Sequence, residues 1–192
     1  MYDMAFADSE TSPGQLIVVG ASTPLAQSLV ALHDGPVSII GRSNPYDLDN
    51  WYEGFDLSTE DGIEQTVGLV TERAKELGGE AAHLLLLQGV SSPDWQESVN
   101  VNMVSVARIA EGFAEANRVR HALGSIGLVG SASAYLGGKL AYASTKASLT
   151  GLMHGLNRKY GDHTRTNLVV PGVFEGGMIA DWSDTKRASV SS

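Results

Sequence analysis

Residues 15–41 read QLIVVGASTPLAQSLVALHDGPVSIIG, and this stretch decides the fold. "QLIVVG" (15–20) is an apolar run without polar alternation, the pattern of a strand buried on both faces, and it ends on a glycine. "PLAQSLVALH" (24–33) carries apolar residues at helical spacing, with Pro24 in the first turn, where a missing N–H does no harm. "PVSIIG" (36–41) is a second strand of the same kind. Strand, helix and strand in immediate succession form one βαβ unit.

The pattern continues outward. "WYEGFDLS" (51–58) predicts a third strand. "TEDGIEQTVGLVTERAKELG" (59–78) predicts a helix opened by Thr59 or Asp61 and closed by Gly78 and Gly79. "HLLLLQG" is a fourth strand, and "WQESVNVNMVSVARIAEGFAEANRV" a long helix with Val99, Met103, Val106, Ala110 and Phe113 on one face. "GSIGLVGSAS" holds a fifth strand, Ala141 to Tyr160 form a helix, and "TRTNLVVPG" holds a sixth strand. The expected fold is α/β: a doubly wound parallel sheet of about six strands with helices on both faces, its ligand beyond the carboxyl ends of the strands. Residues 1–14 are expected to be a loose arm, 15–180 the domain and 181–192 a tail.

Composition narrows the function. The chain has 192 residues, 43% hydrophobic and 18% charged, the balance of an ordinary globule. It has no cysteine, which excludes a disulfide framework, a thiolate metal site and a cysteine nucleophile. The net charge of -9, with no basic run, argues against binding nucleic acid. "MYDMAFADSETSPG" lacks the features of a signal peptide, and the apolar runs are too short to span a bilayer. A cytoplasmic location is expected. His33, His83, His121, His154 and His163 show no metal-like pairing. Trp51, Trp95 and Trp182 are candidate packing anchors, with Trp182 an alternative lining of a substrate entrance.

Tyr-x-x-x-Lys occurs twice, as Tyr135 with Lys139 and as Tyr142 with Lys146. The first pair brackets Gly137 and Gly138, so it falls in a loop where four-residue spacing fixes no geometry. The second opens a helix, where positions i and i+4 share a face. There the Lys146 ammonium and the helix dipole can lower the pKa of the Tyr142 phenol, which then exchanges a proton with a substrate oxygen. Ser131, at the end of the fifth strand, can donate to the same oxygen. Asn102 sits in mid-helix, against its propensity, and its side chain is a candidate to hold a water in a relay to Lys146.

These residues resemble the short-chain dehydrogenase/reductase family over roughly residues 15–180. "YASTKAS" resembles the family's Tyr-x-x-x-Lys helix start, "VGSAS" its catalytic serine segment, with Ser133 as the fallback to Ser131, and "VNVNMVSV" its asparagine helix. "FDLS" resembles the segment whose aspartate, here Asp56 beside Leu57, contacts adenine. "NLVVPGVFEGGM" resembles the Pro-Gly turn beside the nicotinamide, placing Pro171, Gly172 and Val173 there. The resemblance implies a nicotinamide cofactor and hydride transfer to or from a carbonyl carbon. It makes Tyr142 the acid or base, has Ser131 polarise the carbonyl, and has Lys146 also bind the nicotinamide ribose. "IIGRS" ends the second strand with Arg42 instead of a carboxylate. Arginine can pair with a 2′-phosphate, so NADP(H) is preferred to NAD(H), with Ser43 as a helper.

The departures fall on the cofactor side. The family's Gly-x-x-x-Gly-x-Gly turn becomes "GASTPLA", which keeps Gly20 but has Pro24 and Ala26. Pro24 removes one donor from the helix start, leaving Ser22, Thr23 and the segment through Leu25 to meet the phosphates. The family's Asn-Asn-Ala-Gly becomes "LLQG", ending in Gln88 and Gly89, and Gly176 replaces a threonine. After Met178 the sequence lacks a strand-like run, so the family's seventh strand is expected to be missing.

Ser144, Ser148, Gly151 and Gly155 form a small-residue stripe on the Tyr142 helix, suited to intrachain packing or to a helix of a second copy. The resemblance implies a homodimer or homotetramer formed through the Asn102 and Tyr142 helices, acting on a small carbonyl or alcohol. Two other readings stand beside it: non-redox acid–base work such as isomerisation, elimination or ring closure, and a binding subunit with a decayed pocket.

Overall fold

The computed structural model describes residues 14–45, 47–77 and 80–172. Its elements are β1 (Gln15–Val19), α1 (Pro24–Ala31), β2 (Val37–Gly41), β3 (Trp51–Glu53), α2 (Glu60–Glu76) and β4 (Ala82–Leu86). They are followed by α3 (Trp95–Val99), a π-helical turn (Asn100–Val104), α4 (Ser105–Arg120), β5 (Gly124–Val129), α5 (Ser133–Leu136), α6 (Leu140–Tyr160) and β6 (Thr164–Val169). The six strands form one sheet in the order β3-β2-β1-β4-β5-β6, every pair parallel. This is the Rossmann-like, doubly wound α/β fold the strand and helix pattern predicts. The strand order reverses between β1 and β4, which opens a crevice beyond their carboxyl ends.

The helices cover the two faces unequally. Sheet residues such as Ile17, Ile40, Leu84 and Ile126 pack with Val70 of α2, Phe113 of α4 and Leu149 of α6 in the main core. On the other face α1 supplies Ala26 against Val18 and Ile39. There β4 and β5 carry half-buried His83, Leu85, Ser125 and Gly127, and β6 carries exposed Arg165 and Asn167. The apolar run of β4 therefore does not mean burial on both faces. The alternation Thr-Arg-Thr-Asn of β6 already marks a strand with one wet side.

Local chemistry sets the element ends. Thr59 caps α2 by accepting the Gly62 N–H at 3.1 Å, as one of the two expected caps. The third strand is only Trp51–Glu53, shorter than expected, and the Trp51 ring lies against Gly41, where an added Cβ would stand 2.5 Å from it. The long helix contains the π turn, whose extra residue shifts the buried face by one position. Ser98, Asn102 and Ser105 are buried there, while Val99 and Met103 are only half-buried. Residues Ser133–Leu136, expected as loop, form one helical turn that Gly137 ends at φ +88°. Asn157 of α6 binds both the N–H and the C=O of Thr166 at 2.8 Å, holding the edge strand to its helix.

Candidate active site

At the end of β1, Gly20 has φ +84°, and an added Cβ would stand 2.4 Å from the Gln88 amide nitrogen. Both the backbone conformation and the close approach of β4 require glycine there. Thr23 is the N-cap of α1: its hydroxyl accepts the Ala26 N–H at 3.3 Å, so it is engaged by its own helix. Pro24 is the first helical residue and is exposed, and Ala26 is fully buried in the contact between α1 and the sheet.

A cleft of about 170 Å³ opens beside this turn. Of the expected cofactor residues, Gly20, Ser22, Thr23, Arg42, Asp56, Leu57, Gln88 and Gly89 line it. Pro24, Leu25 and Ser43 do not line it, and Val173 lies outside the described residues. Arg42 and Asp56 stand 3.9 Å apart with both side chains largely exposed. Asp56 also accepts the Ser58 N–H at 3.0 Å and the Ser58 hydroxyl at 2.8 Å. Those bonds, with Arg42 assisting, hold its carboxyl below the usual carboxylate range. Glu97 and Val101 also line the cleft. Sequence reading missed them because they sit inside a helical pattern with no motif of their own.

The other half of the crevice lies beyond β4 and β5. Lys146 is buried, and its ammonium donates to the Val129 carbonyl at 2.8 Å. Burial lowers its pKa to about 8. A Cβ added at Gly89 would stand 3.3 Å from Lys146 Nζ and 3.6 Å from Asn102 Oδ1, so the chain after β4 passes directly over these two groups. Tyr142 is half-buried one helical turn before Lys146. Ser131 follows β5 and accepts the Ser133 N–H at 3.2 Å, which leaves its hydroxyl hydrogen free to donate. Pro171 accepts the Ala132 N–H at 3.0 Å, tying the turn after β6, with exposed Gly172, to the Ser131 segment.

The Tyr135 and Lys139 pair diverges, as its glycines predict. The Tyr135 hydroxyl meets Thr150 Oγ1 at 3.1 Å, whereas Lys139 donates to the Ser91 carbonyl at 3.3 Å.

Asn102 is more heavily engaged than its place in the helix suggests. Its side chain is fully buried and committed: Oδ1 accepts the Val90 N–H at 2.8 Å, and Nδ2 donates to the Val90 carbonyl at 2.9 Å and to Thr145 Oγ1 at 3.1 Å. An amide used in this way clamps the segment after β4: both N–H donors are taken, and only the second lone pair of Oδ1 is left for a water. Thr145 was missed by sequence reading, although its hydroxyl lies inside the Tyr-x-x-x-Lys spacing. Asn102→Ala strands both Val90 groups, and urea titration is expected to show a loss of about 2–4 kcal/mol.

Among the described residues no cluster of His, Asp or Glu could hold a metal ion, and no helix is long and apolar enough to cross a membrane. Among the described residues the small-residue stripe is largely uncovered: Ser144, Gly151 and Gly155 are exposed, Ser148 is half-buried, and none of the described residues lies within 4 Å of a Cβ added at either glycine.

A family model described as short chain dehydrogenase matches residues 49–187. The chain belongs to the short-chain dehydrogenase/reductase family. An uncharacterized short-chain type dehydrogenase/reductase, y4mP, of Sinorhizobium fredii is 34% identical over 97 residues, 48% of this chain and 38% of that relative's length. Among solved structures, the ligand-free aldohexose dehydrogenase of Thermoplasma acidophilum matches with TM-score 0.76 and 19% identity, over 94% of this chain and 74% of that one. A short chain dehydrogenase of Burkholderia cenocepacia in complex with NADP matches with TM-score 0.71 and 19% identity, over 91% and 78%. At these identities the structural likeness speaks for the fold.

Proposed function

We propose that this short-chain dehydrogenase/reductase is an NADP(H)-dependent oxidoreductase interconverting a carbonyl and an alcohol, with Tyr142 as the general acid or base. One observation carries the reading: a lysine buried at the carboxyl edge of the sheet, one helical turn after a half-buried tyrosine and beside the cleft at the switch point. Burying a lysine is unfavourable, and a position used only for packing would not need one.

The residues fit a dinucleotide. Gly20 and Gly89 leave backbone bare where a side chain would collide with Gln88 or crowd Lys146. Arg42 supplies a guanidinium at the cleft rim for a 2′-phosphate. Gly20, Ser22 and Thr23 would meet the pyrophosphate, Asp56 and Leu57 the adenine, and Pro171, Gly172 and Val173 the nicotinamide side. When bound, the dinucleotide supplies or accepts hydride at the substrate carbon. Ser131 donates its free hydroxyl hydrogen to the substrate oxygen and orients it. Tyr142 passes its phenolic proton to that oxygen in reduction and takes it back in oxidation. Lys146 keeps a positive charge close to the phenol and to the ribose, and Asn102 positions the chain after β4 over it.

The domain is proposed to span residues 15–180, and the protein to act in the cytoplasm as a homodimer or homotetramer through the α4 and α6 surfaces, where the stripe of α6, uncovered by the described residues, suits a partner helix. A second reading, acid–base chemistry without redox at the same Tyr142 and Ser131, draws support from the cofactor turn. There the Thr23 hydroxyl accepts from its own helix and keeps only its hydrogen for a phosphate, and Pro24 offers no N–H. Titrating the protein with NADPH and NADH by calorimetry separates the two. The first reading expects saturable NADPH binding that Arg42→Ala weakens roughly tenfold or more, with NADH affinity nearly unchanged. Failure of both nucleotides to bind at millimolar concentration removes it.

A further inference from the structure

Gln88 ends the segment after β4 and lines the cleft, yet it is only 6% exposed. Its amide is unevenly satisfied. Nε2 reaches the Ser105 hydroxyl at 3.4 Å, a long bond, and Oε1 is buried without a partner.

The orientation of that amide follows from its neighbours. The Ser105 hydroxyl donates its single hydrogen to the Val101 carbonyl at 2.7 Å, in the π turn. It can therefore only accept from Gln88, which must present Nε2 to it. Turning the amide over would set two acceptors against each other. The leftover group is thus the carbonyl oxygen, and a buried carbonyl without a donor is unfavourable. Such groups are uncommon in folded proteins, and at a ligand cleft they point to a missing donor.

We propose that Gln88 is a specificity-determining residue whose side-chain oxygen accepts a hydrogen bond from the adenosine half of the bound dinucleotide. This rests on the nucleotide reading above. Gln88 lines the same cleft as Asp56 and Leu57, proposed for the adenine, and its backbone lies against Gly20, proposed for the pyrophosphate. The donors an adenosine offers are a ribose hydroxyl and the adenine amine. The terminal torsion of a glutamine is soft, and the 3.4 Å tether to Ser105 is weak, so the amide can turn toward such a donor at small cost. The chain of bonds from the Val101 carbonyl through Ser105 to Gln88 would then continue to the ligand.

The test uses Gln88→Met, which keeps the side-chain length and removes the amide. Thermal unfolding of the free protein and calorimetric titration with NADPH are measured together. The free variant is expected to unfold at the wild-type temperature or above, because a buried unpartnered group has gone, while NADPH affinity falls roughly tenfold. A variant that unfolds several degrees lower with NADPH affinity unchanged would show that the oxygen serves the fold, and would overturn the proposal. Titration with ADP, 3′-deoxy-ADP and 6-deamino-ADP identifies the donor: the analogue lacking it loses affinity for wild type only. If both analogues lose equally from wild type and variant, the proposal is also overturned. Wild type that binds none of these nucleotides defeats the function reading itself, a result distinct from a variant that binds as well as wild type.

Discussion

Tyr142→Phe is expected to lower turnover by about 10³-fold while leaving NADPH affinity within about twofold of wild type. Phenylalanine keeps the half-buried ring and removes only the oxygen that carries the proton. Turnover, once a carbonyl substrate is found in a screen, is followed by loss of NADPH absorbance, and binding by fluorescence titration. The effect belongs in kcat, because the proton is passed only in the transition state. Tyr135→Phe is the matched control. Its hydroxyl bonds to Thr150 on an exposed surface, so its loss should change turnover by less than about twofold. A comparable loss in the two variants would reverse the assignment.

Lys146→Met carries the second large effect, and it has two readouts of different sign. Turnover should fall at least about 10²-fold, because the positive charge beside the phenol is gone. Stability should behave differently. The Lys146 pKa in the folded protein is about 8, below its ordinary 10.5, so folding disfavours its charged form. Below pH 8 the full penalty is present, about 3 kcal/mol by linkage. Between pH 8 and 10.5 the unfolded chain binds more protons, so stability rises with pH, and above 10.5 the penalty vanishes. Methionine has no such penalty but loses the bond to the Val129 carbonyl, worth roughly 1–3 kcal/mol. The two proteins should therefore be similarly stable near pH 7. Wild type should gain on the variant as pH rises to 10, as followed by urea unfolding at a series of pH values. Parallel pH profiles would contradict the buried charge.

What could be read in the chain, and what could not, follows the range of the interactions involved. The positions of the strands along the chain came from the apolar runs and their glycine ends, which are local. Choosing Tyr142 over Tyr135 needed only helical spacing and the two glycines. The clamp that Asn102 makes was not legible because propensity treats a mid-helix asparagine as unfavourable without saying what it touches. Its partners Val90 and Thr145 are distant in sequence, and the π turn that buries it leaves no simple periodic mark. The wet face of β4 and β5 was hidden for a related reason: which helices cover a strand depends on elements far along the chain. Gln88 looked only like a departure from a family pattern. Its meaning emerged from Ser105 and Val101, which show which end of its amide is left over.

The crystal structure of the complex with NADPH tests the central claim most directly. The expected result places the adenosine half in the cleft between Arg42 and Gln88, the Lys146 ammonium on the nicotinamide ribose, and the Tyr142 hydroxyl toward the nicotinamide and within a water's reach of Ser131. A nucleotide seated elsewhere, or a Tyr142 hydroxyl turned into bulk solvent, would contradict it.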